Sequence, residues 1–316
     1  MASTSELAEE YYNTAREALS INDIEEAIDN LNMAQTLYEE LDDKLMNVRI
    51  LNMLTIAYGL AGKNSMMAKT ILDALAYCDS NNIVGAKHLF YSAICDRYIA
   101  LHDYDNAINY GLMAIQDLEE NSVHTFGDVP GWFLVSYLNA AYAFLEAHVF
   151  DEAAKYLGKA KRIAKENNID NHNYTFDVME AKLKYCIGDK EYAMSQIDNL
   201  TNIAKSDENT LMDFIQDIEI FVSLLLDLKE YDKAEDVVRS LAHHVSSETE
   251  ELKTKLEASK LLMKIFKASG NKEKYNEACV TYAESDIEFH HTTSEKQLAE
   301  MDTTIALSIA NVNFDI

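Results

Sequence analysis

Small and apolar residues recur along this chain at an almost constant interval. Ala27, Met67, Ala107, Ala153, Ala193, Ala234 and Tyr275 follow one another at spacings of 40, 40, 46, 40, 41 and 41 residues. Twelve places before them stand Ala15, Thr55, Cys95, Ala141, Ala181, Val222 and Met263, small in the first five cases. Nine places before stand Ala18, Tyr58, Tyr98, Phe144, Lys184, Leu225 and Phe266, mostly large and ring-bearing. Seven places after come Ala34, Ala74, Ala114, Ala160, Leu200, Leu241 and Tyr282. Self-similarity at such a period marks one supersecondary unit repeated and stacked. Small residues let the two helices of a hairpin approach closely, and a ring is expected to fill the gap between neighbouring hairpins.

A turn residue precedes each anchor by five places: Asn22, Gly62, His102, His148, Gly188, Lys229 and Gly270. The pattern therefore predicts helix–turn–helix hairpins at about 4–41, 43–80, 83–121, 131–167, 171–206, 208–246 and 248–284. "STSE" at 3–6 and "SETE" at 247–250 carry the spacing of capping boxes that open two first helices. One proline and nine glycines in 316 residues fit a nearly all-helical chain. Proline lacks the N–H a helix needs, and glycine carries extra backbone entropy.

The strings "YIALHDYDNAINYGLMA" (98–114) and "FLEAHVFDEAAKYLGKA" (144–160) resemble the tetratricopeptide repeat family: a small residue, an aromatic three places on, a turn, then an alanine. The resemblance covers about residues 5–285. It departs from the family in a unit near 40 residues rather than 34 and in lacking the closing proline, as longer helices would require. The fold it implies is all-α, a right-handed superhelical solenoid of about seven hairpins. One repeat domain is expected over 1–285, with residues 286–316 as a capping or connector helix. The seventh unit is the weakest, with Tyr275 at an alanine position.

Two stretches break the rhythm. "NSVHTFGDVPGWF" (121–133) accounts for the 46-residue spacing and holds the only proline and the only tryptophan. Trp132 either anchors this loop at the start of the fourth repeat or forms a lip over a ligand groove. The segment after residue 286 begins a helix with Leu298, Met301, Ile305 and Val312 at spacings of three, four and seven. It reads as a cap on repeat seven or as a connector to an output domain, through which the chain could form a homodimer.

No phosphate loop, dinucleotide fingerprint, zinc-protease helix or nucleophile elbow occurs, so the chain is expected to be no enzyme and to need no cofactor. The four cysteines are far apart without a CxxC pair, which suggests neither a metal site nor a disulfide framework. The pairs His243–His244 and His290–His291 point about 100° apart on a helix and present no joint ligand set. A formal net charge of −27 opposes binding to nucleic acid and to anionic membranes, and favours encounter with basic partners. The first residues lack the basic and apolar regions of a signal peptide, and no apolar run approaches the roughly 20 residues of a membrane span. A cytoplasmic location is expected.

Binding remains. The family resemblance implies a ligand along the concave face of the first helices. Counting back from the anchors, and including one neighbour, that face takes Arg16, Arg49, Asn52, Ser92, Asp96, Leu138, Asn139, Tyr142, Lys182 and Glu219. Asparagine suits such a groove because its amide both donates to and accepts from a peptide backbone. In repeat seven Lys253, Lys260, Lys264 and Lys267 form one helical stripe. The stripe either receives an anionic ligand segment or is neutralised by Glu284, Asp286, Glu288, Glu295 or Glu300. The family's two-carboxylate clamp set is incomplete here. A protein or peptide segment is the expected partner. The resemblance extends to repeat domains N-terminal to bacterial GGDEF or histidine-kinase outputs, which implies a regulatory input module. The alternative is a peptide-pheromone receptor of the Gram-positive quorum-sensing type, in which Asn52 and Asn139 would hold the peptide.

Overall fold

Seven joints, built alike, set the architecture. In a computed structural model describing residues 3–206, 215–241 and 248–289, the N–H four places before each anchor donates to the carbonyl nine places before it. These bonds run from Asp23 to Ala18, Lys63 to Tyr58, Asp103 to Tyr98, Val149 to Phe144, Asp189 to Lys184, Glu230 to Leu225 and Asn271 to Phe266, at 2.8–3.0 Å. The residue between helix end and cap adopts a left-handed backbone in every case: Asn22, Gly62, His102, His148, Gly188, Lys229 and Gly270. This is the Schellman closure, which satisfies carbonyls a helix C-terminus leaves unpaired. At the four non-glycine positions the left-handed conformation costs roughly 1 kcal/mol each, so the closing hydrogen bonds must offset it.

The next helix starts at once. Oδ1 of Asp23, Asp103, Asp189 and Asn271 accepts from the backbone N–H three residues on, at 3.1–3.2 Å. The helices are α1 Thr4–Ser20, α2 Ile24–Glu40, α3 Lys44–Leu60, α4 Asn64–Ser80, α5 Lys87–Ala100, α6 Tyr104–Asn121, α7 Val129–Glu146 and α8 Phe150–Asn167. They continue as α9 Asn173–Cys186, α10 Lys190–Ser206, α11 Ile215–Asp227, α12 Tyr231–Ser240, α13 Glu248–Ser269 and α14 over 272–289. The box at Ser3 forms both its bonds: Glu6 N–H to Ser3 Oγ at 3.2 Å, and Ser3 N–H to Glu6 Oε2 at 2.7 Å. The box proposed at 247–250, both double-histidine pairs and the segment from 290 onward lie outside the described residues.

The chain divides into two compact units, Met1–Asp170 and Asn171–Ile316. The first holds four hairpins, α1 to α8. Each packs on the next, and the first helices α3, α5 and α7 lie side by side. The second holds three hairpins among its described residues, with first helices α9, α11 and α13 adjacent in turn. The fold is thus all-α, a stack of tetratricopeptide-like hairpins.

Burial follows the repeat register. Ala15, Thr55, Cys95, Ala141 and Ala181 are all buried, as are the anchors from Ala27 through Ala234. In the seventh hairpin Tyr275 is only half-buried, and Ala278 is the buried small residue. One expectation needs correction. The aromatic nine places before the anchor stacks inside its own hairpin, Tyr98 on Tyr110 at 5.6 Å and Phe144 on Tyr156 at 5.5 Å. Between the third and fourth hairpins it is Tyr104 and Tyr142 that meet, at 6.4 Å. Burial pushes the Cys78 thiol up to about 11 and raises Cys95 further, so both stay protonated and inert.

Candidate functional site

In the first unit the face made by α1, α3, α5 and α7 carries most of the expected binding residues. Arg16 on α1 and Asp96 on α5 are exposed, while Arg49 and Asn52 on α3 and Asn139 on α7 are half-buried. Asn139 Nδ2 donates to Asp96 Oδ1 at 2.5 Å, tying α7 to α5. One turn back along the same two helices, the hydroxyls of Ser92 and Ser136 lie 3.4 Å apart. Water reaches Asp96, yet protein surrounds it on nearly every side, as at the floor of a concavity. That enclosure raises its carboxyl to about 6, and the bond from Asn139 opposes the rise. Tyr142 and Leu138 are buried instead and serve packing, because α7 presents Asn139 rather than Tyr142 to the open side.

The insertion folds back toward this face. Asp128 caps α7 through Gly131 N–H at 3.1 Å, and Pro130 sits in the first turn, where its missing N–H leaves no bond unmade. Trp132 is turned inward: its indole N–H donates to the Phe126 carbonyl at 3.2 Å, and its ring lies 5.8 Å from that of His88. His88 is buried at the start of α5. Its Nδ1 lies 3.4 Å from Asp117 Oδ2, an ion-pair distance without hydrogen-bond geometry, and neither ring nitrogen is hydrogen-bonded. Burial pushes the Asp117 carboxyl up, but the bonds from His88 N–H and Asn121 outweigh it and hold it below the usual range. The Arg49 guanidinium lies over the Phe126 ring at 4.7 Å. Its Nε is buried without a hydrogen bond, and Nη1 meets only the Met46 sulfur at 3.8 Å.

In the second unit the candidates are engaged internally. Lys182 is buried, and its Nζ reaches Ser223 Oγ at 2.9 Å and Asp227 Oδ2 at 2.6 Å. Lys260 pairs with Glu257 at 2.8 Å, one turn back on α13. Lys264 lies 3.8 Å from Glu219 of the preceding hairpin, and Lys267 is exposed. The acids that meet this stripe are therefore on α13 and α11, ahead of the segment on which they were expected. The Lys253 side chain, Glu295 and Glu300 lie outside the described residues.

Sequence reasoning gave no weight to Phe126, His88, Asp117 or Asp217. Asp217 on α11 is buried with Thr175 Oγ1 donating to it at 2.6 Å, and burial pushes its carboxyl up to about 7. An acid inside an apolar helical run was the available signal. Among the described residues no three histidine, cysteine or acidic side chains form a metal-holding group, and no helix is long and apolar enough to cross a membrane.

No family model matches the chain, and no curated protein does. Solved structures do. The apo form of RapI shares 16% identity over 90% of this chain and 85% of its own, with a TM-score of 0.52. A Rap protein complexed with competence and sporulation factor shares 13% identity over 93% of this chain and 77% of its own, with a TM-score of 0.60. The likeness is one of fold: the same stacking of helical hairpins.

Proposed function

We propose that this chain is a peptide receptor on a helical-repeat scaffold, binding an extended peptide along the first-helix face of its first unit. The observation that carries this reading is the Asp96–Asn139 pair. It is a polar floor, open to water yet enclosed, with the Asn139 carbonyl oxygen left to accept from a ligand backbone. Asn52, half-buried on α3, offers a second amide on the same face. The fold likeness to a Rap protein that was captured with a bound factor supports this over a signalling input module. Both readings share a non-enzymatic, cytoplasmic, peptide-binding scaffold. The −27 charge supports a ligand other than nucleic acid.

The test is affinity selection from a pool of random hexapeptides, followed by fluorescence anisotropy on the recovered sequences. Replacing Asn52 and Asn139 together by alanine should abolish binding, and unchanged affinity would sink the receptor reading. The input-module reading places a dimer contact in residues 286–316. Light scattering on residues 1–316, compared with a chain ending at Asp286, separates the two: a dimer that falls to monomer on truncation favours the module.

A further inference from the structure

Arg49 is oddly placed for a chain with 54 acids and 27 bases. Its guanidinium is half-buried, yet among the described residues no carboxylate lies within ion-pair reach of it. Phe126 takes one face of the guanidinium, Nε is buried unbonded, and Nη1 has only a sulfur contact. Stacking on a ring uses the face of a guanidinium and leaves the in-plane N–H edge, the part that matches a carboxylate, without an oxygen. Asn52 follows three residues later on α3, on the same helix face, with no hydrogen bond to another described residue.

The insertion decides what kind of carboxylate fits. Phe126 is held by the Trp132 indole N–H on its carbonyl, Trp132 rests on buried His88, and Asn121 Nδ2 donates to Asp117 Oδ1 at 3.0 Å. The loop also lies hard against the α4–α5 connection, where a Cβ on Gly85 would come within 2.8 Å of the Asn121 carbonyl. Phe126 is thus a braced wall at one end of the face that Arg49 and Asn52 share. A peptide chain can end against it but cannot run through it.

Building on the receptor reading above, we infer that Arg49, Asn52 and Phe126 form a terminus-reading subsite for the C-terminal carboxylate of the peptide. Arg49 takes the carboxylate in a charge-assisted contact, Asn52 takes the last peptide group, and Phe126 stops the chain. The subsite selects peptides by where they end as well as by their sequence.

Two random hexapeptide pools, one with free C-terminal carboxylates and one amidated, test this on the full chain. Recovered peptides should lose about tenfold or more in affinity when amidated, as expected for a lost charge-assisted hydrogen bond, and also when one glycine is added at the C-terminus. Arg49→Gln should bind both forms equally weakly, and Arg49→Lys should keep part of the preference. Phe126→Ala should accept the extended peptide. Circular dichroism melting of each variant separates misfolding from loss of the subsite. Equal affinity for carboxylate and amide in the wild type, or a preference that survives Arg49→Gln in a folded variant, overturns the inference while leaving the receptor reading intact. Recovery from neither pool overturns both.

Discussion

Asn139 on α7 donates to Asp96 on α5 across 2.5 Å, and this single amide bridges the first helices of two successive hairpins. The bond favours the ionised carboxylate while enclosure by the surrounding helices disfavours it. Removing the amide should therefore move the carboxyl further up from its value of about 6. Carbon-detected NMR titration of Asp96 in the wild type and in Asn139→Ala reads this directly. A midpoint that stays put or falls in the variant would show that the amide does not stabilise the charge.

Asp217 should make stability fall as pH rises. Its carboxyl sits near 7 in the folded chain against an ordinary 3.8, so between those values the folded state holds a proton that the unfolded state has released. Stability is then highest below about 4 and declines until about 7. Asp217→Asn keeps the shape and can still accept from Thr175. It should gain on the order of 2 kcal/mol at pH 7.5 and little at pH 4. Urea melts at the two pH values check the sign, and a variant less stable at pH 7.5 would contradict it.

Lys182→Met tests whether that lysine holds the fold or the ligand. Its ammonium is buried and bonded to Ser223 and to the half-exposed Asp227. Removal should cost about 1–2 kcal/mol, less than for a pair buried at both ends, because water can reach the carboxylate left behind. Thermal melting and peptide affinity are measured together. Loss of affinity without loss of stability would return Lys182 to the groove.

Gly85→Ala should loosen the insertion. The residue has φ of +74°, and an added Cβ would collide with the backbone that anchors the loop. A destabilisation of about 1–3 kcal/mol is expected, with faster hydrogen exchange at Thr125. An unchanged melt would mean that the contact is not tight.

Much of this could be read from the sequence because repetition makes local rules visible many times over. The seven turn residues chosen by spacing all take the left-handed conformation, including His102, His148 and Lys229, which no single-site rule would have picked. The small residues twelve places before the anchors in the first five units are all buried. What stayed hidden depends on contacts between distant residues that do not repeat. Phe126 meets Arg49 from a loop found once in the chain. Asn139 rather than Tyr142 reaches the open face because of a rotation of α7 that residue counting cannot supply. Lys182 looked like a groove cation by register, and only the placement of Asp227 on α11 shows its charge already met.

The Schellman joint has an implication for how such a chain changes over generations. Each hairpin closes on hydrogen bonds among its own residues and rests chiefly on the hairpin before and after it. A segment of one period, cut from turn to turn, therefore carries its own instructions and asks nothing of remote sequence. Duplication or loss of such a segment would lengthen or shorten the molecule without scrambling what remains. The one hairpin that cannot be traded freely is the third, because the loop that follows it reaches back to Arg49 and would have nothing to close upon.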